Sequence, residues 1–211
     1  MRLKTENYRE QCARWPTDGR HILAQYDDHE VVVYQAYKPS IGHYAASHGY
    51  FGGEFSYSRM SWVKPNFLWM MYRSGWGTKP GQEVVLAVHL ERDFFERLLA
   101  EAVHSSFVPE VYGSHDEWKR RLTESDVRLQ WDPDHGPKGG KLARRAIQLG
   151  IRGSTLATYG RSAILAIEDV SPLVSAGRQL LDSPERLETP AERVFVPRER
   201  SVREHLGLDK A

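Results

Sequence analysis

The sequence predicts a single α+β domain in which a central mixed or antiparallel sheet is flanked by short helices. The composition is that of a globular chain able to bury a core, since 40% of the 211 residues are hydrophobic and 27% are charged. Runs of β-branched residues alternate along the chain with short helical periodicities. A strand-then-helix arrangement occurs twice, over 82–104 and 162–181, and supports a mixed architecture.

Three regions differ in composition. Residues 1–19 are polar and contain Trp15-Pro16 and Asp18-Gly19, which predicts a turn-rich lead-in. Residues 20–181 hold the periodic patterns and are predicted to form the α+β domain. Residues 182–211 are rich in charge and proline around one apolar group at 194–196, which predicts a C-terminal arm packed on the domain surface.

The first half of the domain carries clear element signals. Strands are predicted over 21–25 and 30–37, where β-branched and aromatic residues are concentrated. A helix is predicted over 40–47, with Ser40 as N-cap and Gly49 as the end. A second helix is predicted from Pro65, which suits a first helical turn, to Gly75.

The second half is predicted in the same way. A buried strand over 82–90 precedes a helix over 92–104, and a strand over 127–131 precedes a loop over 132–140. The glycines of 136–141 miss the phosphate-loop spacing and favour a hairpin. A helix is predicted over 141–149, ended by Gly150, followed by a strand over 162–168 and a helix over 171–181.

Charge and cysteine content restrict the classes of protein. The formal net charge is +1, which excludes a chain that is basic throughout, so binding to anions would depend on local clusters. The single cysteine, Cys12, cannot form an intrachain disulfide, and the first residues lack the apolar run of a signal peptide. No apolar run approaches the roughly 20 residues of a membrane span. We therefore expect a cytoplasmic location and no membrane.

Residues 55–79, here called the basic aromatic segment, are the strongest candidate for a functional surface. Aromatic residues alternate there with four cations and no carboxylate: Tyr57, Trp62, Phe67, Trp69, Tyr72 and Trp76, with Arg59, Lys64, Arg73 and Lys79. Aromatic rings stack on bases at about 1–3 kcal/mol each, and Arg and Lys neutralise phosphates. Trp69 and Arg73, four residues apart on a helix, are predicted to form one wall of a pocket. Simple packing of an aromatic helix, with cations reaching into water, is the alternative.

Polar residues elsewhere complete the candidate site. The residues with acid, base or amide chemistry are Gln35, Gln130 and Asp132. The further ligand-binding candidates are Tyr34, Tyr37, Arg144 and Gln148, the last two lying at i, i+4 on the predicted helix over 141–149. Residues 132–135 suit either acid/base or metal chemistry or a satisfied turn, and no metal site is predicted.

Four stretches of the sequence carry a resemblance to a known family. They are VVVYQAYKPSI, FSYSRMSWVKPNFLWMMYRSGWGTK, QWDP and RRAIQLGIRG. Together they resemble the domain-of-unknown-function family 4291, from about Arg20 to Val196. The resemblance implies a family and no particular activity.

A more distant likeness concerns the order of elements. Tyr34 and Gln35 on a strand, a helix closing at Gly49 and then Phe55-Ser56 are similar to small ADP-ribosyltransferase-like domains. That similarity implies NAD as a ligand. The His-Tyr-Glu and Arg-Ser-Glu triads of those domains are absent, so the likeness concerns the fold more than the catalytic residues.

The leading functional hypothesis is a nucleotide-handling enzyme, a transferase that uses NAD. In it Arg59 and Arg73 bind pyrophosphate and Trp62 or Trp69 stacks on a ring. A cationic, sugar-like transition state is stabilised by Gln35, Gln130 or Asp132. Two alternatives use the same segment: a non-catalytic module that binds RNA or single-stranded DNA, and a protein-interaction domain.

Overall fold

The structure, a computed structural model, describes residues 3–210. The strands are β1 (Thr5–Asn7), β2 (Ile22–Ala24), β3 (Glu30–Tyr37), β4 (Ser61–Val63), β5 (Val84–Glu91), β6 (Val103–His104), β7 (Val127–His135), β8 (Lys141–Ile151), β9 (Ile164–Asp169), β10 (Glu188–Pro190) and β11 (Arg193–Phe195). The helices are α1 (Tyr8–Cys12), α2 (Pro39–His48), α3 (Phe67–Ser74), α4 (Arg92–Glu101), α5 (Pro109–Tyr112), α6 (His115–Glu124), α7 (Gly153–Arg161), α8 (Ser171–Gln179) and α9 (Arg200–Leu206). The predicted α+β class is confirmed.

An antiparallel sheet of three strands, in the order β3-β5-β9, forms the centre of the fold. Both faces of β3 and β5 are buried: Val31 and Val33 lie in one apolar cluster, whereas Val32 and Tyr34 lie in another. A strand covered on both faces shows an unbroken apolar run in place of alternation. This explains why 30–37 and 84–91 are recognisable in the sequence.

A second sheet contains four strands in the order β4-β8-β7-β6, with β6 parallel to β7 and the other pairs antiparallel. The two sheets meet where Tyr34 of β3 forms a backbone bridge to Lys64, the residue after β4. The Tyr34 amide donates to the Lys64 carbonyl at 2.6 Å, and the Lys64 amide donates to the Tyr34 carbonyl at 3.2 Å. The backbone of Lys64 is therefore fixed at the junction.

The predicted helix over 141–149 is wrong, because these residues form most of strand β8. The predicted loop over 132–140 is wrong in its first part, because β7 continues to His135 and pairs with β8. The hairpin turn predicted from the glycines is confirmed, and the Gly136 amide donates to the Gly140 carbonyl at 2.9 Å. Ile147, Leu149 and Ile151 are buried at a spacing of two, and pairing with β7 satisfies their backbone.

The two ends of the chain pack against each other. Strand β1 pairs with β10 and strand β2 with β11, and the Trp15 indole donates to the Glu192 carbonyl at 2.9 Å. Residues 5–12 thus form a strand and a helix where the sequence predicted turns. Phe195 and Leu206, from the predicted C-terminal arm, lie within the larger apolar cluster. Strand β2 was predicted within one residue of each of its ends, whereas β1, β10 and β11 carry too little pattern to be recognised locally.

Helices α5, α6 and α7 are absent from the sequence prediction. Helix α6 has no buried residue, and its apolar face consists of Trp118 and Leu122 alone, which is a weaker signal than the longer apolar stripe of a core helix. No helix between residues 3 and 210 has both the length and the apolar character that crossing a bilayer requires.

Candidate ligand pocket

A cavity of about 520 Å³ opens where the two sheets meet, and we call it the inter-sheet pocket. It is lined by residues from β3, β4, α3, β7 and β8 and from three connecting segments: Gln35, Ala36, Tyr37, Arg59, Met60, Ser61, Trp62, Lys64, Met70, Arg73, Gln82, Gln130 and Gln148. Its described lining contains three cations and four glutamines but no carboxylate. The pocket is therefore suited to a polar, anionic ligand.

Lys64 is the least usual residue of this lining. Its exposed fraction is 4%, and among residues 3–210 its ammonium group makes no hydrogen bond or ion pair. Its Nζ lies over the Trp69 ring, 5.4 Å from the ring centroid. Burial, reinforced by the positive charge of Arg73 and opposed by Asp132, lowers the pKa of Lys64 to about 8. Buried lysines are normally paired, so an unpaired one facing a cavity marks a candidate site.

The turn that places Lys64 is held by buried polar groups. Asn66 is the N-cap of α3 and accepts from the Trp69 amide at 2.7 Å. Glu192 accepts from the Phe67 amide at 2.6 Å and from the Asn66 side chain at 3.2 Å. Burial raises the pKa of Glu192 well above its usual range, although the Phe67 hydrogen bond acts against this. A carboxyl group from the C-terminal region thus anchors the helix that carries Arg73.

Gln35 is fixed by hydrogen bonds to both ends of its amide. Its nitrogen donates to the Ser61 hydroxyl at 2.8 Å and to the Trp62 carbonyl at 3.1 Å. Its oxygen accepts from the Tyr159 hydroxyl at 2.6 Å. The Ser61 hydroxyl also lies 2.8 Å from the Tyr37 hydroxyl. The amide and hydroxyl groups form one connected network along this wall of the pocket.

Gln130 and Gln148 face each other across β7 and β8 and share one carboxylate. Asp132 accepts from the Gln130 side chain at 2.8 Å and from the Gln148 side chain at 2.7 Å. Because an ionised carboxylate only accepts hydrogen bonds, both amides turn their nitrogen atoms toward Asp132. Asp132 itself lies outside the lining. Its two hydrogen bonds position the side chains of the two glutamines.

Arg59, Trp62 and Arg73 complete the cationic and aromatic part of the pocket. Arg59 and Arg73 are exposed, and neither forms an ion pair with any carboxylate of residues 3–210. Trp62 is half-buried and lies across Gly150 of β8. A Cβ atom at Gly150 would lie 2.9 Å from the Trp62 ring, so only glycine allows this close approach.

Other predicted site residues lie elsewhere. Tyr34 is fully buried, packs against Phe67 and lies outside the lining of the pocket. Trp69 is 6% exposed and lies outside the lining, so the predicted wall of Trp69 and Arg73 is wrong. Met70 and Arg73 form that wall instead.

Arg144 also lies outside the pocket, because it pairs with buried Asp134. Its predicted pairing with Gln148 on a helix is wrong, since both residues lie on β8 and only Gln148 lines the pocket. Trp76 is buried, and Lys79 donates to the Tyr72 and Arg73 carbonyls at the end of α3. Packing therefore accounts for this part of the basic aromatic segment.

Sequence reasoning missed Ser61, Gln82 and Tyr159. Ser61 lies inside the basic aromatic segment, between Met60 and Trp62, but a lone serine carries no signal of its own. Gln82 follows Gly81 in a loop, and Tyr159 lies on α7, 124 residues from its partner Gln35. No local pattern links such distant residues.

Replacing Tyr159 by phenylalanine is expected to destabilise the protein by about 1–2 kcal/mol, because the buried oxygen of Gln35 would lose its donor. Urea denaturation of both proteins gives the change in the free energy of unfolding. Tyr72→Phe is the matched control, since Tyr72 is exposed, and its stability should not change. Equal stability of wild type and Tyr159→Phe would show that the network around Gln35 is not fixed by this bond.

Comparison with known proteins gives one family. The sequence profile described as "Domain of unknown function (DUF4291)" matches residues 21–201 of the 211-residue chain. No curated protein matches the chain.

Proposed function

Because the chain belongs to the family described as "Domain of unknown function (DUF4291)", whose description assigns no activity, we propose its function from the inter-sheet pocket. The pocket binds a phosphate-bearing nucleotide, and the protein acts on that nucleotide as a transferase. NAD is the proposed donor. The observation that carries this proposal is the convergence of Arg59, Lys64 and Arg73 on one cavity without a carboxylate partner.

The phosphate part of the proposal follows from these cations. A guanidinium group matches two phosphate oxygens at once, whereas an ammonium group acts as a point charge. Arg59 and Arg73 are free to turn toward a pyrophosphate, and Lys64 supplies a charge from deeper in the pocket. In a partly buried cavity such charges are screened less than at an open surface. Binding an anion would also offset the cost of burying the Lys64 ammonium.

The remainder of the ligand would contact amides and one indole. The side-chain nitrogens of Gln130 and Gln148 donate hydrogen bonds to Asp132, so the side-chain oxygens stay available to accept hydrogen bonds from a base or ribose. These oxygens also provide negative dipole ends that would stabilise a cationic, sugar-like transition state. Trp62 presents the half-buried ring of the lining, and stacking on it is the proposed contact for a base.

The first test is titration with NAD, ADP and AMP by calorimetry at low salt. We expect binding, with pyrophosphate ligands tighter than AMP. Arg73→Gln should weaken the binding of NAD about tenfold, which corresponds to the loss of about 1.4 kcal/mol. The control is Arg186→Gln, because Arg186 is exposed and outside the pocket, and its affinity should equal that of the wild type.

Two results would contradict the proposal. One is the absence of heat with every nucleotide at millimolar concentration. The other is tight binding of a single-stranded oligonucleotide, with an affinity that falls steeply with salt, while mononucleotides fail to compete. That second result would favour the nucleic-acid-binding alternative. The exposed positions of Arg59 and Arg73 also support that alternative.

A further inference from the structure

We propose that Lys64 is a nucleophilic amine, which forms a Schiff base with a phosphorylated aldehyde or ketone bound in the inter-sheet pocket. The reactive amine is inferred from the surroundings of Lys64 alone. The phosphate on its substrate rests on the function proposed above. A phosphorylated sugar in its open-chain form belongs to this chemical class.

The Lys64 ammonium group has no hydrogen-bond or ion-pair partner among residues 3–210. The charged groups of residues 3–210 that act on Lys64 are Arg73 on α3 and Asp132 on β7. Both carboxylate oxygens of Asp132 accept hydrogen bonds from glutamines, and no hydrogen bond joins Asp132 to Lys64. A lysine used only to attract anions keeps its charge best in water or beside a carboxylate. Lys64 has no carboxylate hydrogen-bonded to it and is only 4% exposed, so its neutral, nucleophilic fraction is larger than that of an exposed lysine.

The side chains around Lys64 also favour a reactive amine. The Trp69 ring covers Nζ on one side, and Arg73 lies in the same lining. Desolvation and a nearby cation are the two conditions that activate an amine for attack on a carbonyl carbon. The lowered pKa of Lys64 agrees with both conditions. Arg59 and Arg73 would hold the phosphate, so that the carbonyl end of the ligand is directed to Nζ.

The reaction needs no oxidant or reductant. The lone pair of neutral Nζ attacks the carbonyl carbon, a C–N bond forms, and the carbonyl oxygen takes up a proton. Nζ then loses one proton to solvent, the oxygen is protonated a second time, the C–O bond breaks to release water, and the iminium that remains loses its second nitrogen proton. The product is an imine, and the balance is one amine and one carbonyl giving one imine and one water. Ser61 and Tyr37, whose hydroxyls lie 2.8 Å apart in the same lining, are the groups placed to donate to the departing oxygen.

The test uses pyridoxal 5′-phosphate, an aldehyde with a phosphate, and pyridoxal, the same aldehyde without it. The full-length protein is incubated with each at pH 7, reduced with borohydride and digested, and the modified lysines are identified by mass spectrometry. We expect Lys64 to be labelled at least about tenfold faster than exposed Lys119, in keeping with a larger neutral fraction at this pH. Pyridoxal 5′-phosphate should label it faster than pyridoxal.

Two substitutions of Lys64 separate the effect of its charge from that of its nucleophilic amine. Lys64→Arg keeps the positive charge but is not a nucleophile, so it should still bind nucleotides and lose the adduct. Lys64→Met should lose both, and circular dichroism establishes that each variant is folded. Arg73→Gln should remove the preference for the phosphorylated aldehyde.

The outcomes separate the two proposals. Equal labelling of Lys64 by both aldehydes would support the reactive amine and count against the phosphate site. Nucleotide binding without labelling of Lys64 would overturn the nucleophile and leave the nucleotide pocket standing. Labelling of Lys119 and other exposed lysines, with Lys64 unmodified, would also overturn the nucleophile.

Discussion

Replacing Lys64 by methionine is expected to weaken nucleotide binding at least about tenfold and, at pH 7, to stabilise the fold by about 2 kcal/mol. Loss of binding follows from removal of the deepest cation of the pocket. Stabilisation follows because methionine fills a similar volume without a buried charge. A residue whose removal makes the protein more stable and less active is kept for function.

The stabilisation expected for Lys64→Met depends on pH. The pKa of Lys64 is about 8 in the folded chain, below its ordinary value of 10.5, which we take for the unfolded chain. Between these values the unfolded chain binds more protons than the folded one, so the stability of the wild type rises with pH. The advantage of Lys64→Met is therefore largest below pH 8 and shrinks as the pH approaches 10.5.

Urea denaturation of wild type and Lys64→Met at pH 7 and pH 9.5 measures this effect. The control is Lys119→Met on α6, where the lysine is exposed, and its stability should match the wild type within about 0.5 kcal/mol. A variant less stable than the wild type at pH 7 would show that the ammonium group has a partner and is not an unpaired buried charge.

Breaking the buried ion pair between Asp134 and Arg144 is expected to have the largest effect on stability. Asp134→Asn should lower the free energy of unfolding by about 3–5 kcal/mol, because it leaves a buried guanidinium without its counter-charge. The Arg144 Nε and a terminal nitrogen lie 2.8 and 2.7 Å from one Asp134 oxygen, and both side chains are at most 4% exposed. Arg144 also donates to the Pro16 carbonyl at 2.5 Å and lies 5.3 Å from the Trp15 ring centroid. The same change is therefore expected to loosen the packing of the N-terminal residues.

Thermal and urea denaturation measure the loss, and limited proteolysis near Pro16 reports the loosening. Asp182→Asn is the matched control, because the pair of Asp182 with Lys138 is exposed and screened by solvent, so its loss should have little effect on stability. The double variant Asp134→Leu with Arg144→Met should recover much of the lost stability, since it leaves no buried charge. If Asp134→Asn were as stable as Asp182→Asn, the pair would be accessible to water in solution.

The elements predicted well are those with a strong local signal. Strand β3 was predicted with its observed bounds, and α2, α3, β5 and α8 within a few residues. Valine-rich runs, proline at first helical positions and glycine at C-caps are properties of neighbouring residues, so no distant contact is needed to recognise them. Strand β8 shows the limit, because Leu142, Ala146 and Leu149 also fit a helical spacing. Only its partner β7 decides between the two.

Only part of the candidate site could be predicted from the sequence. The cations of the pocket were singled out because residues 55–79 concentrate charge and aromatic rings without a carboxylate. The placement of Trp69 inside and Trp62 at the lining was not predictable, because both are tryptophans next to apolar residues. Asp132 was expected at the ligand, but it lies outside the lining and accepts hydrogen bonds from two lining glutamines.

The sequence alone determined the α+β class, the family and the segment in which the pocket cations lie, because composition, periodicity and a long block of matching residues are local properties. Tertiary structure decided that Gln35, Lys64, Gln130 and Gln148 surround one space and that Arg144 does not. Register between β7 and β8 and the bridge from Tyr34 to Lys64 set those neighbours. The burial and pairing of a charge depend on residues far apart in the chain, so a one-dimensional pattern does not contain them.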